Sequence, residues 1–99
     1  MLTKQQVLDY LANHKQYFYD HFRLEKIGLF GSLARGEHSA SSDIDILFEV
    51  NTKKKFSMFK YLELNKYLED GFKIKVDLVR EASLKKGIKP YIYKDLIYV

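Results

Sequence analysis

One stretch constrains this chain more than any other: Gly31-Ser32-Leu33-Ala34-Arg35-Gly36-Glu37-His38-Ser39-Ala40-Ser41-Ser42-Asp43-Ile44-Asp45. It is entered from a short apolar run, Ile27-Gly28-Leu29-Phe30, and left through another, Ile46-Leu47-Phe48. That order predicts a strand, a tight turn, a short polar connection and a second strand opening on two carboxylates. Asp43 and Asp45 are two apart, so on a strand they share a face, with Cβ atoms roughly 6–7 Å from each other. Such a pair can hold one or two hard cations through oxygen. Without a cation, acidic residues at successive same-face positions only repel one another. Gly31 lets the backbone come close to an anion, and Ser32 adds a hydroxyl donor.

Around that stretch the periodicities change in a regular order. Thr3 is an N-cap candidate, and Val7, Leu8, Leu11, Phe18 and Phe22 recur at helical spacing, so a helix is predicted over residues 4–20, with Ala12 on its inner side. Tyr10, Tyr17 and Tyr19 fall partly off that stripe, as surface residues or as a partner surface. Residues 24–30 form the first strand, and residues 33–36 a short helical turn whose amides, with Ser32, make a small anion site. In the second strand, residues 43–50, Ile44, Ile46, Phe48 and Val50 face one way, and Asp43, Asp45, Leu47 and Glu49 the other.

A second helix is expected over residues 56–70, burying Met58, Tyr61, Leu62, Leu64 and Leu68, with Gly71 as a left-handed cap. Residues 73–79 give a third strand, in which Asp77 stands opposite the apolar set Ile74, Val76 and Leu78. A short helical turn over 81–86, closed by Gly87, is followed by Pro90, which restricts continuation, and by an apolar tail fit for a last strand. The lysine run at residues 53–55 reads as a solvated turn, His38 as a solvated loop residue, and Glu49 as structural.

Ninety-nine residues, 46% hydrophobic and 30% charged, predict one folded domain over 1–99 with a modest core and no separate acceptor-binding domain. No cysteine is present, which excludes disulfides and thiolate metal sites. No apolar run approaches the roughly 20 residues of a membrane span, and no signal-peptide core opens the chain, so a cytoplasmic, membrane-free protein is expected. A net charge of +4 suits nucleic acid, a nucleoside triphosphate or an acidic partner, but of 17 basic residues only Arg23, Arg35 and Arg80 are arginine, so the lysine excess reads as general solubility rather than a nucleic-acid footprint.

Phe30-Gly31-Ser32-Leu33-Ala34-Arg35-Gly36, followed by Ser42-Asp43-Ile44-Asp45 and a later strand bearing Asp77, resembles the signature of the minimal nucleotidyltransferases. These belong to the superfamily related to DNA polymerase β, and the resemblance covers most of the chain. It implies an α+β fold, a small mixed sheet with helices mainly on one face. Asp43, Asp45 and Asp77 would be the catalytic carboxylates and the ligands of two Mg2+ ions, with Asp77 completing the second site and taking the proton of the attacking hydroxyl. Gly31 and Ser32 would hold the β- and γ-phosphates of ATP, and Arg35 would clamp the triphosphate.

The resemblance further implies a helical HEPN-domain toxin as partner and hetero-oligomer mate, with the chain as antitoxin placing AMP on a tyrosine of that toxin. Two rivals stand beside this reading: neutralisation of the partner by binding alone, and transfer to a small-molecule acceptor.

Overall fold

The computed structural model describes residues 2–37, 43–51 and 55–99. His38, the rest of residues 38–42, and residues 52–54 of the basic loop lie outside this set. In chain order the elements are α1 (Lys4–Asn13), α2 (Lys15–Phe22), β1 (Leu24–Phe30), α3 (Gly31–Ala34), β2 (Ile44–Val50), α4 (Met58–Phe72), β3 (Val76–Arg80), a 3-10 turn (Glu81–Ser83), α5 (Lys89–Tyr93) and β4 (Ile97–Tyr98).

The four strands form one mixed sheet in the order β3-β2-β1-β4. β1 pairs antiparallel with both β2 and β4, whereas β2 and β3 run parallel. The parallel pair requires a crossover, and α4 supplies it. One face of the sheet presents Ile27, Leu29, Ile44, Ile46, Phe48, Val76 and Leu78 to Val7, Leu11, Phe18 and Phe22 of α1 and α2 and to Leu64, Leu68 and Phe72 of α4. These residues are almost completely buried and make up the core, so the helices of the expected α+β fold do gather on one face. No helix among the described residues is long and apolar enough to cross a membrane.

The single helix expected over 4–20 is two helices that meet at His14. The His14 backbone N–H and the ring Nδ1 both converge on the Tyr10 carbonyl, and the ring stacks on Tyr10 at 4.0 Å. With that carbonyl shared, residue 14 leaves helical geometry (φ −103°, ψ 6°). Thr3 caps α1 in a capping box with Gln6, as its position suggests. Ala12 is exposed rather than turned inward.

Gly71 is not a cap. It lies inside α4, where a Cβ would stand 2.2 Å from the Tyr10 hydroxyl. Glycine is used there for close helix approach, and Lys73 adopts the left-handed cap instead (φ 57°). The inner side of α4 is correspondingly shifted: Leu64, Leu68 and Phe72 are buried, but Met58 and Leu62 are exposed. β3 starts three residues later than expected. Pro90 opens the short α5 rather than blocking a helix, because its missing N–H costs nothing in the first turn.

Candidate active site

The face of the sheet away from the helical core carries the acidic residues. Asp45, in β2, is the direct register partner of Asp77 in β3 and, on its other side, of Phe30 in β1. Adjacent parallel strands in register put equivalent side chains on one face, so the two carboxylates lie side by side. Asp43 stands exposed just before β2 begins, and its charge also reaches Asp45.

This crowding has an electrostatic consequence. The Asp45 carboxyl is pushed from 3.8 up to about 6, first by burial, then by the Asp77 charge and a hydrogen bond shared with that carboxylate, and finally by Asp43. Arg35 pulls in the opposite direction but does not offset the rest. Two acids that cannot comfortably ionise together share a proton or attract a cation.

β1 ends at Phe30, and the chain turns at once into α3. Gly31 makes that turn with φ +77°, a region that side-chain-bearing residues rarely occupy. A Cβ at Gly31 would stand 2.0 Å from Asp45 Oδ2. The backbone of the glycine-serine turn therefore lies directly against the candidate metal carboxylate. The turn is closed by backbone hydrogen bonds from Arg35 to Gly31, Gly36 to Leu33 and Glu37 to Ser32. Ser32 stays half-exposed in this turn.

Arg35 follows α3 and is exposed. Its Nε donates to Glu37 at 2.9 Å and its Nη1 to Asp95 at 2.7 Å. Asp95 precedes β4, and only 14% of its side chain is exposed. Sequence reasoning passed over Asp95, since sixty residues separate it from Arg35 and no local pattern marks it. Glu49, on the same sheet face, accepts from the Tyr98 hydroxyl at 2.5 Å, in keeping with a structural part.

The structure thus brings together Gly31, Asp45 and Asp77, with Asp43 and Arg35 near enough to shift the Asp45 proton. Among the described residues no three His, Asp or Glu side chains close into a ready metal cage. The donor chemistry nevertheless fits a hard divalent cation: oxygen ligands, uncompensated like charges and a carboxyl with a raised affinity for positive charge.

The nucleotidyltransferase domain family matches residues 11–99, and the chain belongs to that family. Among its relatives, the protein adenylyltransferase MntA of Thermococcus cleftensis is 39% identical over 99 residues, which cover 100% of this chain and 98% of the relative. The Methanocaldococcus jannaschii protein MJ1379, provisionally named a protein adenylyltransferase, is 41% identical over 100 residues and the match covers both chains fully.

Solved structures share the fold. A structure provisionally named a minimal nucleotidyltransferase superposes with a TM-score of 0.81 at 22% identity, over 97% of this chain and 95% of its own. A toxin–antitoxin structure with AMP-PNP gives 0.70 at 23% identity, over 98% of this chain and 72% of that one. A structure of the tri-AMPylated Shewanella oneidensis HEPN toxin with its MNT antitoxin gives 0.69 at 20% identity, over 97% and 71%.

Proposed function

We propose that this chain is the antitoxin of a toxin–antitoxin pair and transfers AMP from ATP to a tyrosine hydroxyl of a helical HEPN-type toxin. The observation that carries the reading is the in-register pair Asp45 and Asp77 against the backbone of Gly31. Nucleotidyl transfer needs carboxylates beside a phosphate-sized turn, because negative charge builds on the phosphoryl oxygens as the bond to pyrophosphate breaks. The names of the adenylyltransferase relatives and of the toxin–antitoxin neighbours support the choice of AMP and of the partner.

In this reading Gly31 and Ser32 receive the β- and γ-phosphates, and Arg35 clamps the triphosphate with a guanidinium that never deprotonates. Asp43, Asp45 and Asp77 would hold two magnesium ions. Magnesium, when bound, neutralises the triphosphate and stabilises the charge of the transition state. Asp77 would accept the proton of the tyrosine hydroxyl. The reaction belongs to the cytoplasm, where ATP is supplied.

The test is incubation of the chain with isotopically labelled ATP, magnesium and a HEPN-type partner, followed by mass spectrometry of the partner. AMP on a partner tyrosine, lost with Asp45→Asn and with Asp77→Asn and with chelator, is the expected result. Label on neither protein, or full protection of cells by the two variants, would replace transfer by neutralisation through binding alone.

A further inference from the structure

A second concave site lies on the free side of β3, the edge strand of the sheet. It is an open cavity of about 360 Å³ between the start of α4 and the end of β3, lined by Phe56, Met58, Tyr61, Leu78, Arg80 and Ser83 among others. Most of the lining is apolar, with one guanidinium. Arg80 lies over the Phe56 ring at 5.7 Å, and its Nε is buried without a hydrogen-bond partner among the described residues. A buried N–H that lacks an acceptor is costly, and Arg80 as a whole is part-exposed and lines the cavity, so its cationic guanidinium calls for an anion there.

The rim continues the apolar character outward. Met58, Phe59 and Leu62, at spacings that bring them together on α4, are 68%, 85% and 54% exposed. Three large apolar side chains on one solvent-facing helix turn have no role in the core. A small free anion would satisfy Arg80 and leave this shelf uncovered. A peptide segment that alternates acidic and apolar side chains covers both.

The cavity also lies at the strand that carries Asp77. Tyr61 lines it and donates to the Leu78 carbonyl at 2.5 Å, and the charge of Asp77 reaches the Tyr61 hydroxyl. Leu78 and Arg80 follow Asp77 on the same strand. The cavity therefore lies at the same edge strand as Asp77 but on the core-side face that Leu78 shares, while the glycine-serine turn lies across β2.

We propose that this cavity and the Met58–Phe59–Leu62 shelf dock an acidic, apolar segment of the acceptor protein, with Arg80 taking a carboxylate and the shelf an apolar side chain. The chain's net charge of +4 is compatible with an acidic partner. The reason an acceptor comes to this edge rests on the transfer reading above. The binding itself does not, and it is measured separately.

The experiment follows the fluorescence anisotropy of a labelled peptide in which glutamate alternates with leucine or phenylalanine. Control peptides carry glutamine for glutamate, or glutamate throughout. Saturable binding of the alternating peptide is expected, weakened about tenfold by Arg80→Gln, by Met58→Glu and by the glutamine control. Met58→Glu changes an exposed rim position, so it decides the matter if Arg80→Gln loses its fold.

In the transfer assay the same variants raise the KM for the HEPN-type partner and leave the KM for ATP unchanged. No saturable binding by the wild-type chain, equal binding by both variants, or equal binding of the all-glutamate peptide overturns the docking site. Peptide binding as expected with no AMP transfer by the wild-type chain overturns the transfer reading and leaves the docking site standing.

Discussion

Asp45 and Asp77 come from strands thirty-two residues apart in sequence number and sit opposite one another in a parallel ladder. Burial first, and then the Asp77 charge and the hydrogen bond between the two carboxyls, push the Asp45 carboxyl up to about 6.

In metal-free protein, Asp45 makes stability fall as pH rises. Folded, the carboxyl holds its proton up to about pH 6; unfolded, it releases it near 3.8. Between those values the folded state binds more protons, so raising the pH favours unfolding. Discounted for its half-exposed position, the cost above pH 6 is roughly 1–2 kcal/mol. Asp45→Asn should therefore raise the melting temperature relative to wild type near neutral pH and lose that advantage at about pH 4. Thermal melts of both proteins in chelator across this range check it, and an advantage constant with pH would count against the assignment.

Gly31→Ala should damage both fold and transfer. A side chain in the left-handed region costs about 1–2 kcal/mol. The new methyl would also displace the Asp45 carboxylate, whose Oδ2 lies 2.0 Å from the Cβ position. A displacement on the order of 1 Å at a reacting centre can cost about a hundredfold in rate. Denaturant melts and labelled-ATP transfer read the two effects independently.

Asp95 should govern how Arg35 meets a triphosphate. The pair is well formed at 2.7 Å but partly solvated on the arginine side, so Asp95→Ala is expected to cost less than about 1 kcal/mol of stability. If Asp95 positions the guanidinium, the same variant raises the KM for ATP several-fold, and Asp95→Glu restores it. Arg35→Lys lacks the planar fork and should not substitute for the arginine. An unchanged KM with a lowered melting temperature would reduce Asp95 to a structural tie.

Lys73→Gly should stabilise the protein. Lys73 ends α4 at φ 57°, ψ 31°, which glycine adopts without a Cβ clash. Glycine's greater freedom in the unfolded chain offsets part of the gain, leaving about 0.5–1 kcal/mol, or a few degrees in Tm for a domain of this size. Thermal unfolding measures it, and transfer activity should not move.

The sequence by itself determined the strands around the glycine-serine turn and the buried stripe Val7, Leu11, Phe18 and Phe22 of the first helices, because each follows from a period of two or 3.6 residues. It also marked the turn, since Gly31 is legible from its place between a strand and a polar connection. What it left open is whatever depends on distant segments meeting. That Asp77 faces Asp45 required the β2–β3 register, that Gly71 serves Tyr10 rather than a helix cap required the approach of α1 to α4, and that Asp95 holds Arg35 required β4 to return beside β1. Local backbone preferences act over a few residues, whereas these contacts are chosen by core packing across the whole sheet, so only the tertiary structure could decide them.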